Sequence, residues 1–141
     1  MIAIYHFRHT VTPEEIDQLG HAGNIHYIRW MQDAAVAHSE ALGWPLERFL
    51  VLGAGWVVRS HQVTYLRQAL EREVIEVQTW VANMRRSTSR RKYEIRNAAG
   101  DLLARAETDW AFIDYAQQRP VRVPPEVAES FPVVGEVSPP G

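Results

Sequence analysis

The 141-residue chain contains no cysteine, which excludes disulfides, thiolate metal sites and a cysteine nucleophile together. It is also compatible with a reducing compartment. No stretch approaches the roughly 18 consecutive apolar residues that a membrane span requires. The opening Met1-Ile2-Ala3-Ile4-Tyr5-His6 has no basic segment leading into an apolar one, so no secretory signal is expected. There is no excess of positive charge: 15 Lys and Arg stand against 17 Asp and Glu, for a net charge of −2. That balance argues against a duplex nucleic-acid binder. Internal repeats and low-complexity tracts are absent too. What remains is a 46% hydrophobic, 23% charged composition, that of one globular domain able to bury its own core. We expect a soluble cytoplasmic protein with one domain over residues 1–130 and a C-terminal tail over 131–141, frayed at Pro139-Pro140-Gly141.

Ile2 to Val11 alternates enough for a first strand. Thr12-Pro13-Glu14-Glu15 has the pattern of a helix start, with Thr as N-cap and Glu three residues on. From Asn24 to Leu42 the period is helical. Ile25, Ile28, Gln32, Ala35, Ser39 and Leu42 form one stripe, and Trp30, Ala34, Ala37 and Ala41 a second, nearly opposite one. Apolar groups on two faces predict a largely buried helix, ended by Gly43 with Pro45 beyond. A short helical turn is expected over 45–49. Strands follow at 56–66, 74–81, 87–96 and 102–115, with a turn at Asn97-Ala98-Ala99-Gly100-Asp101. A buried helix followed by an antiparallel meander of four strands is the expected α+β arrangement.

The densest chemistry lies just before the long helix, in Asp17-Gln18-Leu19-Gly20-His21-Ala22-Gly23-Asn24. Asp17 is a carboxylate able to attack a carbonyl or to deprotonate water. The first amides of the helix, at Asn24 and Ile25, lack intrahelical acceptors and sit at the positive end of the dipole. A carbonyl aimed at them is polarised without a cationic side chain. The plainer reading of Asp17 is a turn acid. His21 can orient Asp17, polarise water or bond loop backbone, and the Asn24 side chain can cap the helix. His21 and His26 lack the i, i+4 spacing of paired ligands, so no metal is expected.

The residues Asp17-x-x-Gly20-His21-x-x-Asn24-x-x-Tyr27-x-x-Trp30, with Val63-Thr64-Tyr65, Glu76-Val77-Gln78-Thr79 and Arg119-Pro120-Val121-Arg122-Val123-Pro124, resemble the hotdog-fold thioesterases. The resemblance is to the 4-hydroxybenzoyl-CoA thioesterase-like group and its acyl-acyl-carrier-protein relatives, and it spans residues 4–127. Two positions depart from it: Gly23, where many relatives have a second Asn, and Glu15, where many have Asp. The resemblance implies a sheet of about five antiparallel strands wrapped around a long central helix. It also implies hydrolysis of an acyl or aryl thioester at Asp17, with the Asn24 amide on the carbonyl. A homodimer or a dimer of dimers is implied, with the active site between subunits, and an edge strand through Val74–Val81 is one candidate for the pairing. No cofactor is implied beyond the CoA carried by the substrate. Acyl-carrier-protein thioesterase activity is the alternative enzyme, and a non-catalytic acyl-CoA-binding protein the alternative from another class. The chain has no His-Phe-Pro-type segment of a hotdog dehydratase.

A second constellation is the basic stretch Arg85, Arg86, Ser87, Thr88, Ser89, Arg90, Arg91 and Lys92, with Arg59 on an earlier strand. Guanidinium groups and hydroxyls suit the phosphates of CoA or an acidic carrier protein. A solvated turn that discourages edge pairing explains the same residues, and alternation puts only some of them on one face. The resemblance also implies that the loop after the long helix borders the acyl pocket, which makes Trp44, Phe49, Leu52 and Trp56 candidates for its wall, with ordinary packing as the alternative.

Overall fold

The computed structural model describes residues 1–139, so the end of the expected frayed segment, Pro140 and Gly141, lies outside the described residues. Period-two alternation becomes five long strands: β1 (Ile4–Thr10), β2 (Ala54–Tyr65), β3 (Val74–Met84), β4 (Thr88–Asn97) and β5 (Leu102–Asp114). A two-residue β6 (Arg119–Pro120) pairs with the end of β5. On β3 and β4 the buried inward residues Ile75, Val77, Tyr93 and Ile95 meet one face of the long helix. Outward residues such as Glu76, Lys92 and Glu94 take the opposite face.

The sheet is antiparallel in the order β1-β3-β4-β5-β2. Only β3, β4 and β5 form the expected meander. β2 does not pair with β3 but lies against β5 at the far edge. The reason is the connection over residues 66–73, which crosses the start of the long helix instead of turning tightly. Ala69 donates its amide to the Tyr27 hydroxyl at 2.9 Å and accepts from the Ala22 amide at 2.9 Å. β3 is thus interior, flanked by β1 and β4, which corrects the expectation of an edge strand through Val74–Val81. The two edges of the sheet are β1 and β2, and β2, the longer, has a bulge between Val58 and Ser60.

Helix α1 (Asn24–Ala41) lies against the inner face of this curled sheet, the hotdog arrangement. Its buried residues are Tyr27, Trp30, Met31, Ala34, Ala35 and His38, a single stripe at i, i+3, i+4, i+7, i+8 and i+11. Two-sided burial is not observed: Ile25 and Val36 are 74% and 54% exposed. The alanines count as apolar wherever they fall, which blurs the period, whereas His38 is discounted as polar although it is fully buried. Gly43 at φ +91° ends the helix, in the left-handed region that glycine enters without a Cβ penalty.

Helix α2 (Leu46–Leu52) follows, and a second core forms around Trp44, Phe49, Phe112, Val123, Val127 and Phe131. Val127 belongs to a final short helix, α3 (Pro125–Ala128). The chain beyond it returns to the sheet. Val133 bridges to Val81 in parallel, and the Trp80 indole donates to the Gly135 carbonyl at 2.9 Å.

Candidate active site

Thr12 to Gly23 forms a tied loop leading into α1. The expected helix start is a single 3-10 turn, Pro13–Glu15, and Glu15 reaches back to the Thr12 amide at 2.9 Å. The same carboxylate contacts His9 Nε2 at 2.8 Å and accepts from the Trp30 indole at 2.7 Å. Burial acts to raise its pKa, but the bonds from His9, Thr12 and Trp30 outweigh it and hold the carboxyl down at about 2. Glu15 is therefore an ionised anchor with its acceptor sites occupied.

Beyond that anchor, Ile16 and Ala22 pair across the loop, and the Asp17 amide donates to the His21 carbonyl at 2.8 Å. Gly20, at φ +84°, closes the turn by donating to the Asp17 carbonyl at 3.1 Å. Asp17 Oδ1 accepts from the amides of Leu19 at 2.9 Å and His21 at 3.3 Å. Its Oδ2 has no partner among the described residues, and the residue is exposed. One oxygen is thus fixed by its own loop while the other is available.

Gly23, not Asn24, is the N-cap of α1, and among the described residues no side chain caps the helix. This corrects the expected capping role of the Asn24 side chain. Asn24 and Ile25 occupy the first helical positions, and neither amide has an acceptor among the described residues. His26 is the first to donate back, to the Gly23 carbonyl at 3.0 Å. Tyr65 holds the Asn24 carbonyl through its hydroxyl at 3.2 Å. The imidazole of His21 has no hydrogen-bond partner among the described residues; only its backbone joins the turn.

The predicted basic residues separate into three environments. Arg85 and Arg86 are exposed in the β3–β4 turn beside Ser87 and Thr88, and Arg59 is exposed at the β2 bulge. Arg90 points to the outer face and is engaged by Asp109 at 2.9 Å, Glu107 at 3.3 Å and Glu136 at 3.5 Å. Arg91 points inward and is buried. The structure does not bring Arg90 or Arg91 to the exposed turn.

A cavity of about 170 Å³ lies between the C-terminal half of α1, α2 and the sheet, lined in part by Ala35, Ser39, Trp44, Phe49, Trp56 and Arg91. Three of the four predicted wall aromatics and aliphatics border it; Leu52 does not. At about 1.5 Å of rise per residue, Ala35 is roughly 16 Å along α1 from Asn24. Within one chain the cavity and Asp17 therefore lie at opposite ends of the helix. Sequence reasoning missed Arg91 as a cavity residue, although its phase with the inward Tyr93 and Ile95 is a readable signal. Among the described residues no group of three His, Asp or Glu could hold a metal ion, and no helix is long and apolar enough to cross a membrane.

The profile of the thioesterase-like superfamily matches residues 11–131. None of the curated proteins matches the chain significantly. Among solved structures, a Lactobacillus plantarum protein provisionally described as an oleoyl thioesterase superimposes with a TM-score of 0.87 at 26% identity, over 98% of this chain and 55% of that one. The chain thus spans about half the length of that relative. A DHNA-CoA thioesterase from Staphylococcus aureus matches with a TM-score of 0.81 at 25% identity, over 86% of this chain and 81% of that one. A 1,4-dihydroxy-2-naphthoyl-CoA thioesterase from Synechocystis shares the fold at 16% identity, with a TM-score of 0.80 over 86% and 90% of the two chains.

Proposed function

The chain belongs to the thioesterase-like superfamily and has the domain of an enzyme that hydrolyses thioesters; from that premise we propose that it cleaves an acyl-CoA or aryl-CoA thioester to the free acid and CoA, with Asp17 as nucleophile or general base. The observation that carries this reading is the state of Asp17. Its Oδ1 is held by the Leu19 and His21 amides, while among the described residues nothing pairs with Oδ2 or with the Asn24 and Ile25 amides at which the loop ends. A carboxylate with one oxygen fixed and one available suits attack on a carbonyl or deprotonation of water. The unpaired amides suit the oxyanion that forms when the carbonyl is attacked. CoA enters and leaves with the substrate, and its phosphates meet the exposed Arg85–Arg86 turn.

The protein works as a homodimer in this proposal, or as a dimer of dimers. Asp17 is exposed in one chain, and the aromatic cavity lies at the far end of α1. An acyl group held in that cavity would meet the Asp17 loop of a second copy, with the two helices side by side. Exposed Leu19 (79%) and Ile25 (74%) next to the acid support a covered surface there. The unpaired edge of β2 is available for the joining strand.

Asp17→Asn tests the assignment. Released thiol should fall by about 10²–10⁴ in kcat, with KM within a few-fold, because the amide keeps the loop bonds but cannot act as base or nucleophile. Unchanged turnover would remove Asp17 from the mechanism.

A further inference from the structure

The cavity beside α2 holds a group that a plain hydrocarbon ligand does not need. Arg91 is 5% exposed and lines the cavity. Its Nη1 donates to His38 Nδ1 at 2.9 Å and to Thr79 Oγ1 at 3.1 Å. Both partners are uncharged acceptors. The Thr79 hydroxyl donates onward to the Lys92 carbonyl at 2.9 Å. His38 donates its Nε2 proton to the Ile2 carbonyl at 2.7 Å, which leaves Nδ1 as the lone-pair side of a neutral ring.

Among the described residues no carboxylate pairs with this guanidinium, and its Nε and Nη2 have no acceptor. Other polar groups on the cavity wall do not supply one. Ser39 Oγ is committed to the Trp44 carbonyl at 2.7 Å, and Ser89 Oγ to the Asn83 carbonyl at 2.7 Å. Glu40 also lines the cavity but is exposed and forms no ion pair with Arg91. The indole N–H of the lining residue Trp110 is buried as well, beside the buried Tyr93 hydroxyl. A buried cation with its charge unbalanced is unfavourable, and Arg remains protonated under any ordinary condition.

We propose that this cavity selects a thioester whose acyl group ends in a carboxylate, held side-on by Nε and Nη2 of Arg91. The inference rests on the thioesterase reading above and adds the acyl class to it. The Nε–Nη2 edge of a guanidinium offers two parallel donors that match the two oxygens of a carboxylate. Trp44, Phe49 and Trp56 cover the methylenes between that end and the thioester. The cavity thus combines an apolar wall for the chain with one cation for its terminus.

The test compares CoA thioesters matched in length and differing only at the end: succinyl against butyryl, glutaryl against valeryl, adipoyl against hexanoyl. The wild-type protein should favour the acidic member of at least one pair by about 10- to 100-fold in kcat/KM, the scale of a hydrogen-bonded charge pair. Arg91→Met should erase or reverse that preference while the alkyl ester is still hydrolysed. Equal rates within every pair for the wild type, or an unchanged preference in Arg91→Met, would overturn the proposal. Calorimetric binding of monomethyl adipate and methyl hexanoate, which carry an oxygen ester in place of the thioester and differ only in the terminal carboxylate, reads the cavity of the wild-type protein apart from thioester turnover. Tighter binding of monomethyl adipate supports the Arg91 site even if no thioester is cleaved, in which case the hydrolase reading alone fails. Binding of methyl hexanoate as tight as that of monomethyl adipate overturns the Arg91 site whatever the hydrolysis shows, and this arm stands if Arg91→Met does not fold.

Discussion

The Nε1–H of Trp30, in the middle of α1, donates to Oε2 of Glu15 at 2.7 Å, two residues before Asp17. This bond ties the base of the loop to the buried face of the helix, so the position of Asp17 depends on a carboxylate that is not itself reactive. The Glu15 carboxyl is held at about 2 against an ordinary 4.5. A depressed folded-state pKa contributes stability that is present above the unfolded value and is lost as pH falls from about 4.5 to about 2. The full shift corresponds to on the order of 3 kcal/mol. Glu15→Gln should therefore lower unfolding stability by about 2–3 kcal/mol at pH 7. The gap to wild type should narrow by pH 3. Urea titrations at the two pH values check this, and a pH-independent gap contradicts it.

A second acid-sensitive contact lies deeper. Burial, followed by the charge of Arg91, pushes the His38 pKa from 6.5 to about 4. An unfolded chain therefore binds more protons at this position between those values, and stability drops as pH is lowered from about 6.5 to about 4. At pH 5 the loss attributable to His38 is about 2 kcal/mol. His38→Gln should flatten that part of the stability profile, because no proton is then taken up on unfolding. Denaturation midpoints for both proteins at pH 7.5 and pH 5 measure it. A slope that persists in His38→Gln assigns the acid sensitivity elsewhere.

These two contacts also show where a linear reading of the chain succeeds and where it stops. Thr12 and Glu15 stand three residues apart, so their capping contact is local and visible in the sequence. The Gly43 helix end and the alternating strands are local in the same way. Glu15 with Trp30, and His38 with Arg91, are separated by 15 and 53 positions. No periodicity predicts which distant polar groups the fold will join. The misassigned edge has the same origin: pairing of β2 with β5 depends on a connection draped over α1, and neighbouring segments in the chain give no sign of it. The Asp17 loop was legible because its glycines, acid and helix start lie within eight residues.

Gly55 supplies a stability test at the cavity wall. A Cβ there would collide with the Tyr115 hydroxyl and lie 3.4 Å from Phe49 Cβ; Tyr115 and Phe49 both line the cavity. Gly55→Ala must therefore turn the Tyr115 ring or shift β2, at a cost of about 1–3 kcal/mol for overpacking. The displaced ring should alter KM for longer acyl chains more than for acetyl-CoA, with kcat nearly constant. A chain-length series of CoA esters, read with thermal unfolding of the same variant, checks both effects. Equal KM changes at every length would place the strain outside the cavity.

The basic residues make opposite predictions according to their partners. Arg90 is held by Asp109, Glu107 and Glu136 on the outer face, so reversing its charge puts four acidic groups together. Arg90→Glu should lower stability by about 1 kcal/mol, as expected for a partly exposed network, and leave KM for CoA esters unchanged. Arg85 and Arg86 are exposed and have no ion-pair partner among the described residues, so their charge is available to a ligand. Arg85→Glu with Arg86→Glu should raise KM several-fold without altering the unfolding midpoint. Because exposed charge is screened within about 8–10 Å at ordinary ionic strength, the wild-type KM should rise with added salt and that of the double variant should not. A KM indifferent to both the reversal and salt would mean that the turn does not meet the phosphates of CoA.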